Sequence, residues 1–173
     1  MNEKAAAPGG LALVESLVNT LDFETGADAL GTEEGRAAFG LAEADVPGAL
    51  LLREALRAVC LAHAGHRQEG SPVPALDGLL AAAPLRVTVD AAGAAALRPL
   101  AEPAGLTDRV AAAIAQATAD GSWARLKACE AEDCRWAYYD RSPAGRRRWC
   151  SMSVCGARAK MRAYRARRDA EQG

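Results

Sequence analysis

The chain has 173 residues, half of them apolar and only 5% aromatic, enough for one ordinary domain with or without a small appended module. The net charge of −1 hides a division: residues 1–121 hold eight Lys or Arg against sixteen Asp or Glu, a net of −8, whereas residues 122–173 hold thirteen against six, a net of +7. No apolar run approaches the roughly 18 residues of a membrane-spanning helix and residues 1–10 do not read as a secretory signal, so the expectation is a cytoplasmic chain with no membrane partner. In that compartment closely spaced cysteines serve as metal ligands more often than as disulfides.

In chain order, residues 1–10 read as a disordered N-terminus. Residues 11–21 are predicted as a helix, because Leu13, Leu17 and Leu21 recur at four-residue spacing with Val14 and Val18 beside them. Gly26 and Gly31 mark loops, and Thr32-Glu33-Glu34 reads as a helix start, with Ala37, Ala38 and Leu41 as a weak apolar face. Pro47 opens a longer helix, running to about residue 67. In it Leu52, Ala55, Leu56, Val59, Cys60 and His63 form one stripe, and Arg53, Arg57 and Arg67 lie off it. Residues 68–78 are expected as a loop, with a helical turn from Leu79 to Ala83 ended by Pro84. Residues 85–90 alternate apolar and polar as a half-buried strand does, and residues 95–101 return as a second strand that Pro99 confines to an edge. A helix follows from about Thr107, its buried side drawn from Val110, Ile114, Ala117 and Leu126, with Gly121 as its weak point. The predicted class is α+β, mainly α: a helical N-terminal domain with a small β-hairpin over residues 11–120, then a small C-terminal module over 121–173.

That module holds two C-x4-C pairs, Cys129 with Cys134 and Cys150 with Cys155, separated by fifteen residues. Four thiolates suit one tetrahedral zinc ion, and two short loops that each present two sulfurs can converge on it. Ser142-Pro143-Ala144-Gly145 provides the chain reversal, and Trp136, Tyr138 and Tyr139 alternate with Ala137 as a strand leading into it. A fifty-residue module with so little apolar mass needs the stabilisation that metal ligation supplies. An iron–sulfur cluster takes the same four ligands, and a redox-sensing zinc site that loses its metal on oxidation is a further reading. Cys60 and His63 sit three apart on one helix and offer a second metal pair, but no further ligand accompanies them, so a buried thiol beside a satisfied imidazole is the simpler reading.

From Arg141 to Arg168 there are ten Lys or Arg and no Asp or Glu. Arg146, Arg147 and Arg148 precede the second cysteine pair; Arg158, Lys160, Arg162, Arg165, Arg167 and Arg168 follow it. Read as a helix from about Ser153, the tail puts Arg158, Arg162 and Arg165 on one face and anchors an apolar stripe of Ala157, Met161 and Tyr164 against the module. Such a positive face pairs with phosphates, which makes these nine residues the candidate nucleic-acid contacts. Arg135 and Arg147 are also placed to compensate a negative zinc–thiolate centre. DNA is the leading partner, RNA the alternative, and an acidic protein partner the third reading. No P-loop, G-x-S-x-G or paired-His metal motif is present, and a four-cysteine zinc has no open coordination position, so no enzyme is expected.

The stretch 125–168 closely resembles the CGNR zinc finger, a bacterial module. The resemblance rests on R-L-K-A-C, D-C-R-W, Y-D-R-S, R-R-W-C-S-M and V-C-G, and it departs at Cys155-Gly156-Ala157-Arg158, where Ala157 stands for the Asn of the name. Residues 11–120 resemble the ABATE domain that precedes this finger in stress-induced transcription regulators, through L-A-L near the start, Val18-Asn19-Thr20, the helix over 47–67 and the hairpin near 85–100. The resemblance implies a mainly helical N-terminal domain with a small sheet, zinc ligation by Cys129, Cys134, Cys150 and Cys155, and a zinc-dependent DNA-binding regulatory role. With it goes the expectation that the zinc is a single structural ion and that the acidic N-terminal part senses a signal or forms a homodimer, with a small-molecule ligand as a further expectation. Asn19 is a candidate to line such a ligand pocket. Ala157 can neither cap a backbone group nor read a base edge as an Asn can, so recognition through that position is lost while the ligand set is kept.

Overall fold

The computed structural model of the chain describes residues 6–66 and 73–172, with the side chains of 73–75 and 171–172 left aside. Helix α1 spans Leu11–Val18, α2 Glu33–Ala37, α3 Val46–His63, α4 Val73–Ala81, α5 Leu106–Ala119 and α6 Ala157–Gln172. Strands β1 (Leu85–Val89) and β2 (Ala95–Pro99) form one antiparallel hairpin, and β3 (Leu126–Ala128) and β4 (Ala137–Tyr139) another. The class is α+β, mainly α, as the sequence leads one to expect.

Several local readings hold. Thr32 caps α2, its Oγ1 accepting from the Gly35 N–H at 3.0 Å. The 85–99 hairpin forms, with Val87 opposite Leu97 and Asp90 Oδ1 accepting from Ala92 and Ala94 at 2.9 Å to close the turn, but the half-buried face expected of it does not: Val87 is 69% and Val89 66% exposed. Others change. Helix α1 stops at Val18, because Thr20, Leu21 and Asp28 are drawn into a short bridged loop. The loop expected over 68–78 is helical from Val73; Pro74 falls in the first turn, where its missing N–H costs nothing. Arg67 of the expected helix and residues 68–72 of that loop lie outside the described residues, as do residues 1–5 of the expected disordered N-terminus. Residues 6–10 are held in place: Ala7 is buried and its N–H donates to Glu15 Oε2 at 2.6 Å. Helix α5 starts at Leu106 and ends at Ala119, where Gly121, at φ 74°, takes the left-handed conformation that closes a helix C-terminus. Leu126 therefore sits in β3 and not on α5.

The stripe on α3 faces the core as read, but Arg53 and Arg57 do not lie off it; each is 4% exposed. Nearby acceptors compensate that burial. Arg53 Nη1 meets Asp28 Oδ2 at 2.7 Å and Thr20 Oγ1 at 3.1 Å. Arg57 Nη2 donates to the carbonyl of Val18 at 2.7 Å, a last-turn carbonyl of α1 with no helical partner of its own, and its guanidinium lies 4.8 Å from the centre of the Phe23 ring. Pattern arguments count Arg as surface and cannot see carbonyls that wait to be satisfied.

The main apolar core joins Leu11, Val14, Leu17 and Val18 of α1 to Leu52, Leu56 and Cys60 of α3 and Val110 of α5, and it runs on into Leu126, Ala128 and Ala137 of the β3–β4 hairpin. Among the described residues, no helix is long and apolar enough to cross a membrane.

Candidate metal centre and basic helix

The β3–β4 hairpin has two faces. Leu126, Ala128 and Ala137 are buried in the main core, while Lys127 stands opposite Tyr138 on the other face, as the alternation of a strand requires. Tyr138 packs with Ala131, Trp149 and the four cysteines in a second small core. The hairpin thus stitches a metal module to the helical part with one side chain set per face.

Each cysteine pair sits on a chain reversal. Cys129 leaves β3 with its N–H bonded to the Trp136 carbonyl at 2.9 Å. The backbone then folds under itself, Cys134 and Arg135 both donating to the Ala131 carbonyl at 3.0 Å, with Arg135 at φ 49°. That left-handed residue is held from the helical part, since Arg57 Nη1 donates to the Arg135 carbonyl at 3.0 Å. The second pair spans a π-helical turn, Met152–Gly156, and the two loops are tied where Glu130 N donates to the Arg148 carbonyl at 3.0 Å. A Cβ on Gly156 would sit 3.2 Å from Met152 Sδ and 3.6 Å from the Trp149 ring, so the residue after the last cysteine has little room to grow.

The four sulfurs all lie within 4.8 Å of one another, Cys134 to Cys150 at 3.6 Å and Cys150 to Cys155 at 3.8 Å. A tetrahedron of thiolates about 2.3 Å from a zinc ion has edges of about 3.8 Å. The set therefore fits one zinc ion, and among the described residues no other group of three or more His, Cys, Asp or Glu is placed to hold a metal. Crowding works against ionisation of two of these thiols: burial and the charges of Cys150 and Cys129 push Cys155 up to about 12, and hydrogen bonds with the Cys129 and Cys150 thiols push Cys134 up as well. A divalent cation reverses that logic, because the thiolate is the form it binds. Four protein ligands close the coordination sphere.

Three residues that sequence reasoning passed over hold the loop between the pairs. Asp140 is 0% exposed. Its Oδ1 accepts from Ser142 N at 3.0 Å and Ser142 Oγ at 2.6 Å; its Oδ2 accepts from Lys127 Nζ at 3.0 Å and Arg147 N at 2.9 Å. Burial opposes its ionisation, yet these bonds, led by those from Ser142, Arg147 and Lys127, hold the carboxyl well below the usual carboxylate range. Arg125 Nη1 donates to the carbonyls of Asp140 at 3.0 Å and Ser142 at 2.9 Å. The readable signal was Asp140-Arg141-Ser142-Pro143, an Asp bonding its own backbone two residues on.

The Asn19 amide grips the backbone of Ala137, a structural role. Cys60 is buried with its thiol pushed up to about 12 by desolvation, and His63 Nδ1 donates to the Leu126 carbonyl at 2.8 Å with Trp123 edge-on at 5.0 Å. Cys60 thus belongs to the main core, and half-buried His63 serves the β3 backbone.

The basic residues do not form one uniform face. Arg147 is turned inward: Nη2 donates to the Cys150 carbonyl at 2.8 Å and its guanidinium lies 5.3 Å from the Tyr138 ring centre, which suits the charge-compensating role. Arg135 instead serves through its carbonyl. Arg148 pairs with Glu130 and stacks on Trp149. Arg158 and Arg162 lean towards Asp133. Arg146, Lys160, Arg165, Arg167 and Arg168 are exposed. The expected apolar anchor of α6 is absent among the described residues: Ala157 is exposed, Met161 is 53% and Tyr164 57% exposed. The module fills its small core with Tyr138, Trp149 and sulfur, and the π turn carries the helix away from it.

Fold and site together define a four-cysteine zinc-binding module grafted on a helical scaffold. Residues 125–168, a quarter of the chain, match the family model of the CGNR zinc finger. Comparison with curated proteins returns no match.

Proposed function

We propose that the protein is a zinc-dependent DNA-binding regulator, with α6 and the approach to Cys150 as its contact surface. The observation that carries the reading is the position of α6: it begins two residues after the last zinc ligand, is exposed from Ala157 to Ala170 save for the half-buried Ala159, and bears Arg158, Lys160, Arg162, Arg165, Arg167 and Arg168. Arg146 and Arg148 extend the positive surface across the module. Arginine forks suit phosphate oxygens, and a helix of this kind fits the major groove. The closed zinc sphere gives the metal a structural role, and a reducing compartment such as the cytoplasm keeps its thiolates available.

The resemblance of residues 11–120 to the ABATE domain supports a stress-linked regulatory role in which the helical part senses a signal or dimerises. The test is fluorescence anisotropy of the zinc-loaded full chain with a labelled 20-base-pair duplex and a matched RNA hairpin over a salt series. Five neutralised phosphates give a slope of log affinity against log salt of about −4.5. A preference for the hairpin moves the reading to RNA. A salt-insensitive complex, or no shift with either probe, overturns nucleic-acid binding in favour of an acidic protein partner.

A further inference from the structure

The acidic half of the molecule reaches the first turn of the basic helix. The loop after α1 is tightly made: Asp22 N donates to the Ala27 carbonyl at 2.9 Å, Gly26 N to the Asp22 carbonyl at 2.8 Å, and Asp22 Oδ1 accepts from Glu24 N at 2.8 Å. This fixed loop presents Glu24 to α6. Arg158 is forked between two carboxylates, Nη2 to Glu24 Oε1 at 3.6 Å and Nη1 to Asp133 Oδ2 at 3.5 Å, and Arg162 Nη1 stands 4.0 Å from the same Asp133 oxygen. Asp22, Glu24, Asp133 and Arg158 line one cleft of about 250 Å³ beside Trp136 and Val154.

These distances exceed hydrogen-bond length and every side chain involved is exposed, so the pairings are weak, screened and displaceable. Arg158 and Arg162 share the helix face that would otherwise meet phosphate oxygens. We propose that Glu24 and Asp133 form an internal competitor for phosphate: they occupy the first two arginines of α6, and nucleic acid must displace them. Glu24 of the acidic part and Asp133 of the module itself thereby lower the affinity of α6 through a defined contact and not only through net charge. This rests on the DNA-binding reading above.

The experiment measures binding of a labelled 20-base-pair duplex at about 50 mM salt by the zinc-loaded full chain, with zinc content checked for each protein. The variants are Glu24→Gln, Glu24→Lys, Asp133→Asn and, as a charge-matched control on the turn ahead of α3, Glu43→Gln. Glu24→Gln is expected to tighten binding about two- to fivefold, and Glu24→Lys further, with both gains narrowing as salt rises. Asp133→Asn acts in the same direction; because it neighbours the ligand Cys134, Glu24 carries the test. Unchanged or weaker binding by the Glu24 variants, beside a wild-type protein that binds, overturns the competitor and leaves the DNA reading standing. An equal gain from Glu43→Gln overturns it in favour of long-range net charge. Absence of binding by every protein overturns both, whereas binding by the Glu24 variants alone supports both.

Discussion

The side-chain amide of Asn19 pairs with both backbone groups of Ala137, 118 residues further along: Nδ2 donates to the Ala137 carbonyl at 3.0 Å and Oδ1 accepts from its N–H at 2.7 Å. Asn19 is the C-cap of α1, and Ala137 opens β4. One side chain thus imitates a neighbouring strand and fixes where the zinc module meets the helical part. Asn19→Ala removes two hydrogen bonds and leaves two part-buried backbone groups unpaired, for a loss of about 1–3 kcal/mol in urea unfolding of the zinc-loaded protein. Asn19→Asp keeps the acceptor and lacks the donor, so it should leave the Ala137 carbonyl unpaired and fall between the two. A neutral Asn19→Ala would mean that the contact holds nothing.

His63 supplies a pH signature. Burial lowers its pKa below 6.5, and the Leu126 carbonyl fixes the proton on Nδ1. The folded form therefore takes up a proton less readily than the unfolded chain. Above about pH 6.5 both are neutral and the cost is nil; as pH falls through that value the unfolded chain binds protons that the folded one refuses, and stability declines. Ligand thiolates add their own acid loss, so the comparison is with His63→Gln. The wild-type advantage over this variant should shrink between about pH 7 and pH 5.5 in thermal melts; a constant difference contradicts it.

Asp140 should be the least replaceable residue outside the four ligands. Asp140→Ala strands the buried ammonium of Lys127 and leaves Ser142 and Arg147 N–H groups unpaired. Breaking a buried pair this way costs about 3–5 kcal/mol, read as a lowered melting temperature and weaker zinc retention against a chelator. Lys127→Met, which removes the charge and keeps the stem, should cost less than Asp140→Ala.

Much of this was legible from residue order. The four cysteines and the stripe on α3 follow from spacing and periodicity, because metal ligands and core faces repeat at fixed intervals; the 85–99 hairpin follows from its alternation too, though the apolar face that alternation promised is exposed at Val87 and Val89. The elements that join the two halves do not repeat. Asn19, Arg57 and His63 each spend a polar side chain on a distant backbone carbonyl, and no local pattern reveals which carbonyl lacks a partner. The tail of α6 shows the converse: Ala157, Met161 and Tyr164 have the spacing of a buried stripe, yet nothing in a helix's own periodicity supplies the surface it would pack on.

Ala157 starts α6, is exposed and is not one of the four ligands. Ala157→Asn, which restores the residue of the CGNR motif, should therefore leave zinc content unchanged and stability within about 0.5 kcal/mol. Any effect belongs to partner recognition, and a change in zinc retention by chelator titration would place the position in the metal module after all.

The most direct measurement is metal content and sulfur coordination of the protein purified without added metal, by elemental analysis and zinc-edge X-ray absorption. One zinc per chain is expected, ringed by four sulfurs at about 2.3 Å, with the content lost in Cys150→Ser. A metal-free protein, iron in place of zinc, or a shell containing nitrogen or oxygen would contradict the arrangement on which the module and its helix depend.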